Sequence, residues 1–110
     1  MSIKHGLFIA TVAAMISFNA YAGEGLSGNE WADDCSSNNV TRDMACVGYA
    51  RGLADGLHLW IDELVCIPQE VTAGQLKDVG QRYLSAHPET RHLDAARLLS
   101  TAFMDAWPCK

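Results

Sequence analysis

The sequence predicts an all-α fold, a small disulfide-stapled bundle of about four helices. Three observations predict it. Apolar residues recur at steps of three and four, the spacing of one helical face. No stretch shows the period-two alternation of a half-buried strand. Four cysteines (Cys35, Cys46, Cys66 and Cys109) stand in a chain of 110 residues, and an even count in so short a chain reads as a set of staples.

Residues 1–22 read as a signal peptide. Lys4 and His5 give a weakly basic start, and the apolar run LFIATVAAMIS follows Gly6. Ala20-Tyr21-Ala22 is a small-residue cleavage signature with Gly23 behind it. An apolar run of about a dozen residues is too short for a membrane span of roughly 20. The expected mature chain is a single helical domain over residues 23–110, exported and free of the membrane. Such a short chain has room for one thin core.

Within it, Gly23 to Gly28 reads as a flexible leader, and Asn29 to Cys35 as a short helix with Trp31 as its one large apolar residue. A polar loop, Ser36 to Val40, leads to a long helix. Thr41 is its expected N-cap, and Asp43 suits the positive end of the helix dipole. Met44, Val47, Ala54, Leu57, Trp60, Ile61 and Leu64 are its apolar positions. Pro68 marks its end, because the residue before a proline is pushed out of helical geometry. Thr72-Ala73-Gly74-Gln75 fits a capping box that opens the third helix. Leu76, Val79, Tyr83 and Leu84 form the apolar face there. The polar break His87-Pro88-Glu89-Thr90-Arg91 precedes a last helix from about His92 to Ala106. Its apolar stripe is Leu93, Ala96, Leu99, Phe103 and Ala106.

Gly48, Gly52 and Gly56 form a stripe at steps of four on the long helix. Each glycine costs a helix roughly 1 kcal/mol against alanine. Three on one face predict helix packing, with another backbone passing close by. On that reading Gly52→Leu is strongly destabilising.

Helix length prunes the disulfide pairings. Cys46 and Cys66 are twenty residues apart, about 30 Å along a helix, and a disulfide needs Cα atoms within about 7 Å. Two pairings remain. Loop closure favours Cys35–Cys46 with Cys66–Cys109 over the crossed alternative. A zinc site is disfavoured, because no Cys-x-x-Cys pair or matching histidine spacing is present.

Removal of residues 1–22 leaves seven basic against thirteen acidic residues, a net charge of −6. This argues against nucleic acid and against an anionic membrane surface, both of which need a basic face. It suits a basic protein partner. Asp55, His58 and Asp62 line one face of the long helix, with Arg51 above them. They read as a solvated polar stripe. No nucleophile elbow, phosphate loop or zinc-protease motif is present, and oxidised cysteines leave no thiol to attack a substrate. The chain is expected to be no enzyme, with no catalytic residue, metal or cofactor.

Four strings point further. They are Cys46-Val47-Gly48-Tyr49-Ala50-Arg51-Gly52-Leu53-Ala54-Asp55-Gly56, then Cys66-Ile67-Pro68-Gln69-Glu70-Val71-Thr72-Ala73-Gly74-Gln75-Leu76. Tyr83-Leu84-Ser85-Ala86-His87-Pro88 and Phe103-Met104-Asp105-Ala106-Trp107-Pro108-Cys109 complete the set. In this order, from about Cys35 to the end, they resemble the Tai-type immunity proteins of bacterial type VI secretion amidases. The resemblance implies a periplasmic helical protein that binds a peptidoglycan-cleaving amidase effector and blocks its cleft. It also implies that a homodimer is common. The stiff polar segment His87, Pro88, Glu89, Thr90 and Arg91 is the expected partner-binding projection. The alternative function is a periplasmic acid-stress chaperone-like or binding module without a toxin partner. An enzyme built on the Asp55, His58 and Asp62 stripe ranks third.

The mature N-terminus is predicted to be Gly23. Intact mass of periplasmic protein checks this, and retention of the apolar segment would refute it.

Overall fold

The computed structural model describes residues 25–110. The signal-peptide reading of residues 1–22 and the cleavage before Gly23 lie outside them. Four α-helices form: α1 Gly28–Cys35, α2 Val40–Trp60, α3 Ala73–Ala86 and α4 Ala95–Ala106. A 3-10 turn, Pro88–Thr90, joins α3 to α4. Among the described residues the only strand-like feature is an isolated bridge between Ser27 and Asp94.

Caps set the helix starts. Ser27 and Glu30 build a capping box at α1, with Ser27 N–H donating to Glu30 Oε2 at 2.9 Å and Glu30 N–H to Ser27 Oγ at 3.2 Å. Thr72 and Gln75 do the same at α3, at 2.7 and 3.2 Å. At α2 the cap is Asn39, not Thr41: Asn39 Oδ1 accepts from Arg42 N–H at 3.1 Å. Asparagine outranks threonine at this position, so the helix starts earlier than expected.

Tertiary demands set the ends. α2 stops at Trp60, well short of Pro68. The chain must turn there to bury Val65, which is 2% exposed, and to bring Cys66 to Cys109. The described end of the segment read as a flexible leader, Leu26 to Gly28, is likewise tied down. Leu26 C=O accepts from Ala95 N–H at 2.7 Å, and Gly28 N–H donates to Leu93 C=O at 2.9 Å. α4 begins at Ala95, and its buried face is Ala95, Leu98, Leu99, Ala102 and Phe103. Leu99 and Phe103 match the expected stripe, whereas Ala106 is exposed.

The core gathers around Trp31, which is fully buried. α1 touches all three other helices. From α2 the core takes Cys46, Ala50, Ala54 and Leu57. Met44, Trp60 and Leu64, expected as apolar positions of that helix, are 67%, 86% and 60% exposed. Trp31 Nε1–H donates to the Cys46 carbonyl at 3.1 Å, which satisfies the one polar atom the indole brings inside.

The disulfides join Cys35 to Cys46 and Cys66 to Cys109, with Cα separations of 5.1 and 5.0 Å. By loop entropy the two closures contribute about 3 and about 4 kcal/mol.

The glycine stripe corrects the expectation drawn from it. A Cβ built at Gly48, Gly52 or Gly56 meets nothing within 4 Å. Among the described residues no backbone passes there, so within them a leucine at Gly52 has room and packing gives it no penalty. The close approach occurs at Gly80 instead. A Cβ there falls 2.5 Å from Leu99 Cδ2 and 2.7 Å from Trp31 Cη2. Gly80 lies midway between Leu76 and Leu84 on the apolar face of α3.

Gly80→Ala is predicted to destabilise. Overpacking costs about 1–3 kcal/mol, against a gain of up to about 1 kcal/mol in helix propensity. A thermal melt should show a fall of roughly 5–10 °C for a domain of this size. An unchanged or raised Tm would show that Trp31 and Leu99 yield freely.

Candidate partner-binding surface

A groove of about 450 Å³ runs between the C-terminal half of α2 and the connection to α3. Its floor is Ala54, Val65 and Leu76, all buried, with the half-buried Ile67 and Val71 beside them. Its rim is Arg51, Asp55, His58, Leu59, Pro68 and Gln69, all exposed. The local chemistry explains the form. The turn after Trp60 sends Val65 inward, and the Cys66–Cys109 bond holds that turn on the end of α4. Cys66 N–H donates to the Trp107 carbonyl at 2.8 Å, which fixes it further. The Thr72 cap anchors the other end.

Beside the groove the surface turns apolar. Leu59, Trp60 and Leu64 are 77%, 86% and 60% exposed. Exposed apolar patches of this kind on small domains mark interaction sites. Arg51 Nε lies 3.6 Å from Asp55 Oδ1, one helical turn on, but both side chains are largely exposed. Such a pair adds little to stability and leaves both charges open to a partner.

The Asp55, His58 and Asp62 stripe is not assembled. Asp62 lies past the end of α2, and among the described residues no group of three ligands is placed to hold a metal ion.

The His87–Arg91 segment does not project as expected. Pro88–Thr90 curl into the 3-10 turn, and the Arg91 carbonyl accepts from Asn29 N–H at 2.8 Å. The first turn of α1 thereby holds the segment against the bundle. The His87 ring lies on Tyr83, with centroids 4.4 Å apart, and Nδ1 is 3.3 Å from Glu89 Oε1. The backbone N–H of Glu89, and then His87, hold the Glu89 carboxyl below the usual carboxylate range. Pro88 and Glu89 remain exposed; the other three residues are half-buried.

All four helices, both disulfides and the groove fall within one family match. The model of the Rap1a immunity proteins matches residues 27–109. The chain belongs to this family. No curated protein and no solved structure matches it. The match begins at the Ser27 cap and ends at Cys109, so it takes in α1 as well. As a Rap1a-type immunity protein, the chain has a secreted effector as its partner class. Among the described residues no helix is long and apolar enough to cross a membrane.

The groove of this immunity domain depends on its staple. Replacing Cys66 and Cys109 together by serine should lower stability by about 2–4 kcal/mol and raise amide exchange across Val65 to Val71. Exchange in α1 should change least, since Cys35–Cys46 is untouched. Uniform loosening of the whole domain would contradict this division.

Proposed function

We propose that the protein acts in the periplasm, where it binds a peptidoglycan-cleaving amidase effector of type VI secretion and blocks its catalytic cleft. Membership of the Rap1a immunity proteins carries the reading. The Tai-like strings add the amidase, and the export signal read in residues 1–22 adds the compartment. Peptidoglycan lies there, and disulfides persist there.

The groove beside α2 supports the role. An apolar floor with a polar rim is the composition of a pocket that takes a hot-spot side chain. Both its ends are pinned, so little conformational entropy is lost on binding. The net charge of −6 after signal removal steers the domain toward a basic effector surface. Occlusion needs no chemistry from the inhibitor, so no catalytic group or cofactor enters the proposal. Pro88 and Glu89 of the His87–Arg91 segment form a second proposed contact. The acid-stress chaperone reading needs protonation to release buried surface. Among the described residues no charged side chain is buried, so that trigger finds no support.

Co-expression of candidate amidases in the periplasm, with and without the full chain, tests the proposal. One amidase should be neutralised. The double change His58→Glu and Gln69→Glu, at two exposed rim positions, should abolish rescue and weaken the purified pair by at least about 2 kcal/mol. Glu89→Ala tests the second contact in the same assay. Failure to neutralise any amidase, with binding to many proteins only at low pH, would overturn the proposal in favour of the chaperone.

A further inference from the structure

The two disulfides differ in access. Cys35 and Cys46 are 6% and 0% exposed. The Trp31 indole N–H holds the Cys46 carbonyl at 3.1 Å inside the core. Cys66 is exposed and Cys109 half-buried, and Pro108 and Lys110, which flank Cys109, are exposed too. A reductant must part α1 from α2 to reach the first bond, but it meets the second at the surface. Exposed disulfides are the more easily reduced class and include the regulatory ones.

The exposed bond also carries the groove. Cys66 directly follows Val65 of the floor and precedes Ile67, Pro68 and Gln69, which line the same groove. The connection has few other ties. Leu64 N–H donates to the Ile61 carbonyl and Val71 N–H to the Pro68 carbonyl, both within the connection itself. Among the described residues, Cys66 N–H to the Trp107 carbonyl is the one backbone bond from Asp62 to Val71 that reaches another part of the chain. Trp107 stands two residues before Cys109, so that bond and the disulfide hold the same tail. The core around Trp31 does not need this staple, because Cys35–Cys46 keeps α1 on α2.

The sulfurs have a partner once they are reduced. The Asp62 carbonyl lies 3.7 Å from Cys66 Sγ and 3.3 Å from Cys109 Sγ. In the oxidised protein neither sulfur has a proton to give. After reduction either thiol can donate to that carbonyl, a weak bond that is open only to the dithiol form.

We propose that Cys66–Cys109 is a reversible redox latch on the groove: a dithiol reductant opens it while Cys35–Cys46 stays closed, and the groove loses its shape. The step is thiol–disulfide exchange. A thiolate of the reductant attacks Cys66 Sγ, the more exposed sulfur. A mixed disulfide forms on Cys66, the bond to Cys109 breaks, and Cys109 leaves as a thiolate that takes up a proton. The second thiolate of the reductant attacks its own sulfur in the mixed disulfide and releases Cys66, which is protonated in turn. Two electrons pass to the protein, which ends with two thiols, and the dithiol ends as a disulfide.

The latch couples binding to compartment. In a reducing space the connection is loose, and a partner must order it at an entropic cost. After oxidation the groove is preformed and that cost is gone. The latch itself does not rest on the inhibitor reading; its effect on an amidase does.

The test is a titration of the oxidised chain, purified from periplasm, with dithiothreitol at a series of reduced-to-oxidised ratios. Samples are quenched with iodoacetamide and read by intact mass and peptide mapping. The first species to appear should carry two labels, on Cys66 and Cys109. It should form at a ratio at least about tenfold below that needed to label Cys35 and Cys46, a gap of about 30 mV. At that step amide protection should fall from Val65 to Val71 and hold in α1, with helical circular dichroism unchanged. Oxidised glutathione should restore protection in the wild type and leave the Cys66→Ser, Cys109→Ser chain in its loosened state. Any amidase found to be neutralised should lose affinity at the first step and regain it on reoxidation. Labelling of Cys35 and Cys46 first, or of all four cysteines together, overturns the latch. So does a two-label species whose groove stays protected, or one that has lost its helices. Failure to neutralise any amidase refutes the inhibitor reading alone, because labelling and exchange judge the latch without it.

Discussion

Trp31 donates its indole N–H to the Cys46 carbonyl at 3.1 Å, inside a core closed to solvent. That carbonyl belongs to α2, so the bond places α1 on α2 at a set depth. One turn beyond Trp31, Cys35 makes the same placement covalent by bonding to Cys46 itself. The far edge of the indole lies over Gly80 of α3, where a single added carbon would collide with it. Leu99 of α4 reaches the same point beside that glycine. Four helices therefore meet at one side chain. In a domain this small, with little apolar surface to bury, such a shared anchor replaces the redundancy of a larger core.

Because the core takes the inner half of α2, the outer half of that helix and its continuation are left to the surface. The two ion pairs with the shortest contacts follow the same division. Arg42 meets Asp34 at 2.9 Å and Lys77 meets Asp43 at 2.7 Å, both near the start of α2. These pairs add register more than stability. Toward the other end, Arg51 and Asp55 pair only loosely, the apolar residues stand free and the groove opens. The N-terminal end of α2 is held on two sides by charge, and its C-terminal end is available for contact.

What was legible in the sequence follows from how local each cause is. The capping box at Thr72 and Gln75 is a four-residue event, and it formed where expected. The preferred disulfide pairing needed only helix length and loop size, and it is the pairing found. The end of α2 was not legible, because Pro68 is a local signal and the burial of Val65 is a tertiary one. The glycines show the same limit from the other side. Gly80 sits four residues from both Leu76 and Leu84, which is a readable sign of an inward glycine. Gly48, Gly52 and Gly56 drew attention because they repeat, yet repetition does not say which way a face points. The groove was least legible of all. Its floor comes from Ala54, Val65 and Leu76, which lie on α2, on the connection and on α3, so no one helical face contains them. The His87–Arg91 segment looked free because it is polar, whereas backbone bonds to α1 hold it, and such bonds leave no mark on side-chain composition.

The two disulfide rings do not overlap along the chain. One closes between Cys35 and Cys46 and the other between Cys66 and Cys109, at separations of 11 and 43 residues. A chain that emerges N-terminus first into an oxidising space presents Cys46 to Cys35 before either later cysteine arrives. The first ring can close on the α1–α2 hairpin while the rest is still in transit, and the last two cysteines then have only each other. Order of arrival and final structure thus favour the same pairs. Thiol exchange to repair a wrong pairing is slow, taking minutes to hours without a catalyst. A topology of successive rings lets this small domain mature without that step.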